Sequence, residues 1–87
     1  MQEKTYWLKC EINDGMLPGE YAIATKTIEG KFISLFAAED FVDKEERLLK
    51  INILNIFTDR LLIYLPFSPF EIPSRSIMVS LKDIIEK

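Results

Sequence analysis

Histidine is absent from this chain of 87 residues, and cysteine and tryptophan occur once each. Without an imidazole the chain lacks the side chain most used for proton transfer near neutral pH and the commonest transition-metal ligand. Ser-His-Asp and Cys-His catalysis within one chain are therefore excluded. The lone thiol also excludes a structural zinc site, and no spacing resembles an EF-hand loop, so neither metal nor cofactor is expected. Cys10 has no partner for an intramolecular disulfide, and no apolar signal run follows Met1, which fits a reducing, cytoplasmic location. Leu48 to Leu65 is rich in Leu and Ile, but Lys50, Asn52, Asn55, Asp59 and Arg60 interrupt it, so no membrane span is expected. Eleven basic residues stand against fourteen acidic ones, for a net charge of -3. The positive side chains are scattered singly from Lys4 to Lys87, which argues against nucleic acid as a partner. None of the three glycines is followed by Lys-Ser or Lys-Thr, so the phosphate-loop pattern is missing.

What is present is a repeat. Leu8-Lys9-Cys10-Glu11-Ile12 is echoed by Leu49-Lys50-Ile51-Asn52-Ile53, and Phe32-Ile33-Ser34-Leu35-Phe36 by Ile77-Met78-Val79-Ser80-Leu81. Asp40-Phe41-Val42 is matched in the same way with Asp83-Ile84-Ile85. Two halves, about 5–43 and 47–87, are too small to bury a core alone and are expected to share one, making residues 1–87 a single domain. Apolar residues make up 48% and charged residues 29%, a balance that excludes general disorder.

The pattern within each half is that of strands. From Thr5 to Asn13, Tyr6, Leu8, Cys10 and Ile12 fall on one face, and Trp7, Lys9, Glu11 and Asn13 on the other, the period of two that marks a half-buried strand. Strands are expected over Glu20 to Thr27 and Lys31 to Ala37, joined by a tight turn at Glu29-Gly30. The second half should follow with Leu48 to Phe57, Arg60 to Pro66 and Ser74 to Leu81. Ala38 to Arg47 is expected to start as a short helical turn around Ala38 to Phe41, the alternative being a helix reaching about Arg47. The fold class expected is all-β: a small, partly open SH3-like or related barrel of about six strands from two three-stranded halves, with one or two short helical turns.

No residue pattern carries strong chemistry. Cys10 reads as a small buried hydrophobe, and the carboxylates from Glu39 to Glu46 as a solvated acidic surface. Ser80 and Lys82, two apart on the last strand, would share a face, but plain surface accounts for them. Trp7 beside Lys9 is the one aromatic-basic pair that a single-stranded nucleic-acid platform would use. The remaining signal is apolar residues turned away from the core. Trp7 and Met78 lie opposite inward-facing neighbours, and Phe67 and Phe70 sit in a three-proline loop that is an insertion of about five residues relative to the first half. These four are the candidate contacts with a partner protein or a second copy of the chain. The expectation is a non-catalytic, self-associating interaction module. Single-stranded nucleic-acid binding and a ligand or enzyme site formed between subunits are the alternatives.

Overall fold

The computed structural model describes residues 4–87; residues 1–3, the start of the expected domain, lie outside the described part. The chain is all-β, with nine strand segments among the described residues. The first half gives β1 (Tyr6–Lys9), β2 (Glu11–Asp14), β3 (Glu20–Lys26), β4 (Phe32–Ala38) and β5 (Val42–Asp43). The second gives β6 (Leu48–Ile56), β7 (Arg60–Tyr64), β8 (Ser76–Ser80) and β9 (Ile84–Glu86). A 3-10 turn precedes the last short strand of each half, at Glu39–Phe41 and Leu81–Asp83. No helix among the described residues is long and apolar enough to cross a membrane.

The strands form two antiparallel sheets, β8-β7-β6-β1-β9 with β5 also on β6, and β2-β3-β4; they do not close into a barrel. The count exceeds the expected six because β1 and β2 are one long strand interrupted at Cys10, and because β5 and β9 are too short to show a period. Each long strand serves both halves. The first part of β6 pairs with β1 and its second part with β7, while β1 pairs with β6 and β2 with β3. The short strands cross over: β5 pairs with β6 and β9 with β1. Leu8 faces Leu49 at the centre, flanked by Ile84 on one side and Val42 on the other, so the two halves are related by a pseudo-twofold axis through this pair.

That symmetry corrects the register of the repeat. The two 3-10 turns have matching caps: Ala38 and Ser80 are extended before them, and Val42 and Ile84 close them by donating an N–H to the carbonyls of Glu39 and Leu81. Val42 therefore corresponds to Ile84, and Leu35 and Ala37 to Ile77 and Val79, all four of the latter being buried. The sequence match of Phe32 with Ile77 sets an exposed residue against a buried one. An odd shift in a strand exchanges its faces, and local similarity of Ile, Met and Phe cannot detect that error.

The core draws on both halves, including Leu8, Ile23, Ile33 and Leu35 with Leu49, Leu61, Ile63, Leu65 and Val79. Tyr6, Cys10 and Ile12 pack at its margin, as the alternation along the first strand requires. Turn chemistry ends the ambiguous segment. The Asp43 side chain accepts the Glu46 N–H at 3.0 Å, and Arg47 takes a left-handed φ of 59°, so the chain turns rather than continuing as a helix to Arg47. Gly30, at φ 90°, supplies the expected tight turn.

Two of the outer strands, β8 and β4, are each partly closed by the other half. The Ile28 N–H, from the β3–β4 turn, donates to the Met78 carbonyl on β8 at 2.8 Å, and the Phe70 N–H, from the β7–β8 loop, donates to the Ser34 carbonyl on β4 at 2.9 Å. Pairing of this kind occupies strand edges that would otherwise template aggregation.

Candidate functional site

The four residues picked from the sequence occupy three different settings. Trp7 is half-buried on the outward face of β1, level with Lys50 on β6 and Ile85 on β9. The Lys87 ammonium sits 5.6 Å from its ring centroid and bonds Asp43 at 2.7 Å. The indole N–H is shielded and has no acceptor among the described residues. Leu48, on the same outward face by register, is only 2% exposed and is not part of the main core cluster. Met78 is half-buried on β8, facing away from the core between the buried Ile77 and Val79.

Phe67 and Phe70 belong to the proline-rich loop, which lies over its own domain. Phe67 packs against the core edge-on to Phe41, with ring centroids 5.3 Å apart. Phe70 meets Phe36 at the same separation but stays 66% exposed. Glu71 anchors the loop: one carboxylate oxygen accepts the Ser34 N–H at 2.7 Å, and the other accepts the Ser34 hydroxyl. Those two bonds hold the Glu71 carboxyl below its ordinary range, the hydroxyl bond contributing most.

The Ser80 and Lys82 pairing is not formed as expected, because β8 ends at Ser80 and Lys82 lies in the 3-10 turn, off the strand face. Cys10 is half-buried, and loss of hydration raises its thiol pKa to about 12.

Another set of exposed apolar residues lies at the free end of the β6–β7 hairpin. Leu54, Ile56 and Phe57 are 52%, 67% and 44% exposed, and Leu81, in the second 3-10 turn, is 50% exposed. Ile56 and Leu81 line a groove of about 310 Å³ together with Tyr6, Ile53, Leu61, Ile84 and Glu86. Ile56 faces Leu61 across the hairpin, and Tyr6 faces Ile51, so these positions continue the inward face of the large sheet. The equivalent place in the first half is polar: Glu39 stands for Leu81, Arg47 for Tyr6, and the Lys44 ammonium lies 5.5 Å over the ring of Tyr21, which stands for Leu61. The pseudo-symmetric scaffold thus carries an apolar groove on one side only.

A second pair of clefts shows a similar contrast in charge. One, of about 200 Å³, is lined by Lys9, Glu11, Ala24, Thr25, Lys26, Phe32 and Asp83. Its counterpart, of about 360 Å³, is lined by Phe41, Lys50, Ile51, Asn52, Tyr64, Pro66 and Arg75. Under the pseudo-twofold Lys9 corresponds to Lys50, Glu11 to Asn52, Ala24 to Tyr64 and Asp83 to Phe41. Both carboxylates of the first cleft are replaced in the second. Arg75 is held there by the Leu65 carbonyl at 3.0 Å and the Pro66 carbonyl at 2.6 Å, with its guanidinium 4.5 Å from the Tyr64 ring centroid.

Sequence reasoning missed both features. Recognising the asymmetric groove and clefts requires the corrected register, and Arg75 lies at the end of the β7–β8 loop, which is longer than its first-half counterpart. No family model matches the chain, and neither the curated proteins nor the solved structures compared with it contain a match.

Proposed function

We propose that this protein is a non-catalytic interaction module that associates with a second copy of itself through the free end of the β6–β7 hairpin. The observation that carries this reading is the exposure of Ile56 and Leu81 in the groove that Tyr6, Ile53 and Ile84 also line, with Leu54 and Phe57 exposed on the same hairpin. A twofold interface must be self-complementary, since the same patch supplies both surfaces. Here a projecting apolar hairpin end and an apolar groove lie side by side, so the hairpin of one copy fits the groove of the other. The rim is polar, with Lys4 and Glu86 paired at 3.2 Å. Apolar centres with polar rims are the usual anatomy of protein contacts.

The scaffold reading that accompanies this proposal is a partly open small barrel of the SH3-like kind, supported by the order of meandering strands, 3-10 turn and short closing strand in each half. The non-catalytic reading is supported by a thiol kept protonated by burial, with a pKa of about 12, and by the absence of any imidazole.

Sedimentation equilibrium of the wild type and of an Ile56→Lys, Leu81→Lys variant tests the proposal. Both side chains are well exposed, so the variant should keep the wild-type circular dichroism spectrum. Wild type should show concentration-dependent dimerisation and the variant a monomer. A wild type that stays monomeric at high micromolar concentration would exclude self-association.

A further inference from the structure

We propose that the cleft between β6, β7 and the β7–β8 loop binds a nucleotide unit, with its phosphate on Lys50 and Arg75 and its base against the aromatic wall. This inference does not depend on self-association.

The first argument is charge. The chain carries a net charge of -3, yet this cleft is lined by two cations and no carboxylate. Its pseudo-symmetric counterpart balances Lys9 and Lys26 with Glu11 and Asp83. The same backbone therefore supports a neutralised cleft on one side and a cationic one on the other. Among the described residues, neither Lys50 nor Arg75 takes part in an ion pair.

The second argument is preorganisation. Arg75 uses Nε and one terminal nitrogen, Nη2, on the Leu65 and Pro66 carbonyls, and neither bond involves Nη1. The guanidinium also lies 4.5 Å from the Tyr64 ring centroid, a cation–π contact that restrains it further. An arginine already ordered loses little further freedom on gaining an anion, and guanidinium geometry suits phosphate. The scattered basic residues noted in the sequence argue against a long polyanion track, but a single phosphate requires only a local pair.

The third argument is the remainder of the wall. Asn52, opposite Tyr64 in the hairpin register, offers both an amide donor and an acceptor, which a base edge can use. Phe41, Tyr64 and Pro66 supply flat apolar surface, and about 360 Å³ falls at the small end of the range typical of small-molecule sites. A phosphate alone leaves that wall unused, and a nucleoside alone leaves the cations unused. A nucleotide satisfies both.

The unit could come from a free mononucleotide or from a single-stranded nucleic acid, and backbone NMR titration separates the two. The probes are AMP, UMP, adenosine, inorganic phosphate and a six-nucleotide single-stranded RNA. AMP or UMP should shift the amides of Lys50, Asn52, Tyr64 and Arg75, and bind at least about tenfold more tightly than adenosine or phosphate, the factor given by roughly one added charged hydrogen bond. Tighter binding of the RNA than of either mononucleotide assigns the site to a strand; equal or weaker binding assigns it to a free nucleotide. Lys50→Gln, an exposed change made away from the loop, should weaken nucleotide binding about tenfold without changing the rest of the spectrum; Arg75→Gln should do the same but also perturb the Leu65 and Pro66 region. The proposal is overturned if millimolar AMP and UMP leave these amides unmoved. It is equally overturned if Lys50→Gln binds as wild type does, or if the shifts fall on Lys9, Thr25 and Lys26 in the counterpart cleft.

Discussion

The Glu71 clamp on Ser34 should decide whether the proline-rich loop behaves as part of the domain. Removing the carboxylate by Glu71→Ala deletes two charge-assisted hydrogen bonds, one to the Ser34 N–H at 2.7 Å and one to its hydroxyl. Such bonds contribute about 1.5 to 3 kcal/mol where fully effective, but Glu71 is exposed, so we expect about 1 kcal/mol in total after solvent screening. Ser34→Ala removes only the hydroxyl arm and should cost about half as much, with the double variant close to Glu71→Ala alone. The pH dependence has a definite sign. Because the folded-state pKa lies below the ordinary 4.5, the carboxylate's contribution is fully present above that value and is lost as pH falls through the folded pKa. Urea unfolding should therefore separate wild type from Glu71→Ala at pH 7, and the curves should converge in strong acid. The Phe70 amide should also lose hydrogen-exchange protection in the variant. A stability difference that is unchanged from pH 7 down to strong acid would refute the clamp.

Glycine substitutions should rank by space as well as by φ. A Cβ on Gly15 would stand 2.5 Å from the Glu20 carbonyl oxygen, so Gly15→Ala should cost about 2 to 3 kcal/mol in chemical denaturation. A Cβ on Gly30 meets nothing within 4 Å, so Gly30→Val should cost only the strain of positive φ, about 1 to 2 kcal/mol. Equal effects would contradict that ranking. Phe67→Ser should lower the melting temperature by about 10 °C or more, given burial worth roughly 1.5 to 3 kcal/mol, whereas Phe70→Ser should shift it by less than half as much. Cys10 should react slowly with a thiol reagent in the native protein and quickly in denaturant, because burial keeps the thiol protonated up to about pH 12.

Much of the fold was legible because strands announce themselves by period. The alternation of Tyr6, Leu8, Cys10 and Ile12 identified the inward face of the first strand, and Gly30 marked the β3–β4 hairpin. The short helical turn after Ala38 was legible too. Other features were not. β5 and β9 are two and three residues long, too short for any alternation, and acquire strand geometry only by pairing across the pseudo-twofold. The packing of Phe67 within the domain is hidden because a Phe in a proline loop shows no period; its edge-on contact with Phe41 is tertiary. The candidate surfaces were hidden for a different reason. Ile56 looks like a core residue in a run of Leu and Ile, and Leu81 like the end of a half-buried strand; only the sheet layout shows that the inward face extends past what covers it. Arg75 looks like one more scattered cation until the backbone carbonyls of Leu65 and Pro66 orient it.

The central claim is tested most directly by an isotope-filtered NOE experiment on a mixture of labelled and unlabelled chains at high micromolar concentration. Self-association through the hairpin end predicts intermolecular contacts from Ile56 and Phe57 of one copy to Tyr6 and Ile84 of the other. Intermolecular contacts confined to Phe70 or Met78, or none at all, would contradict it.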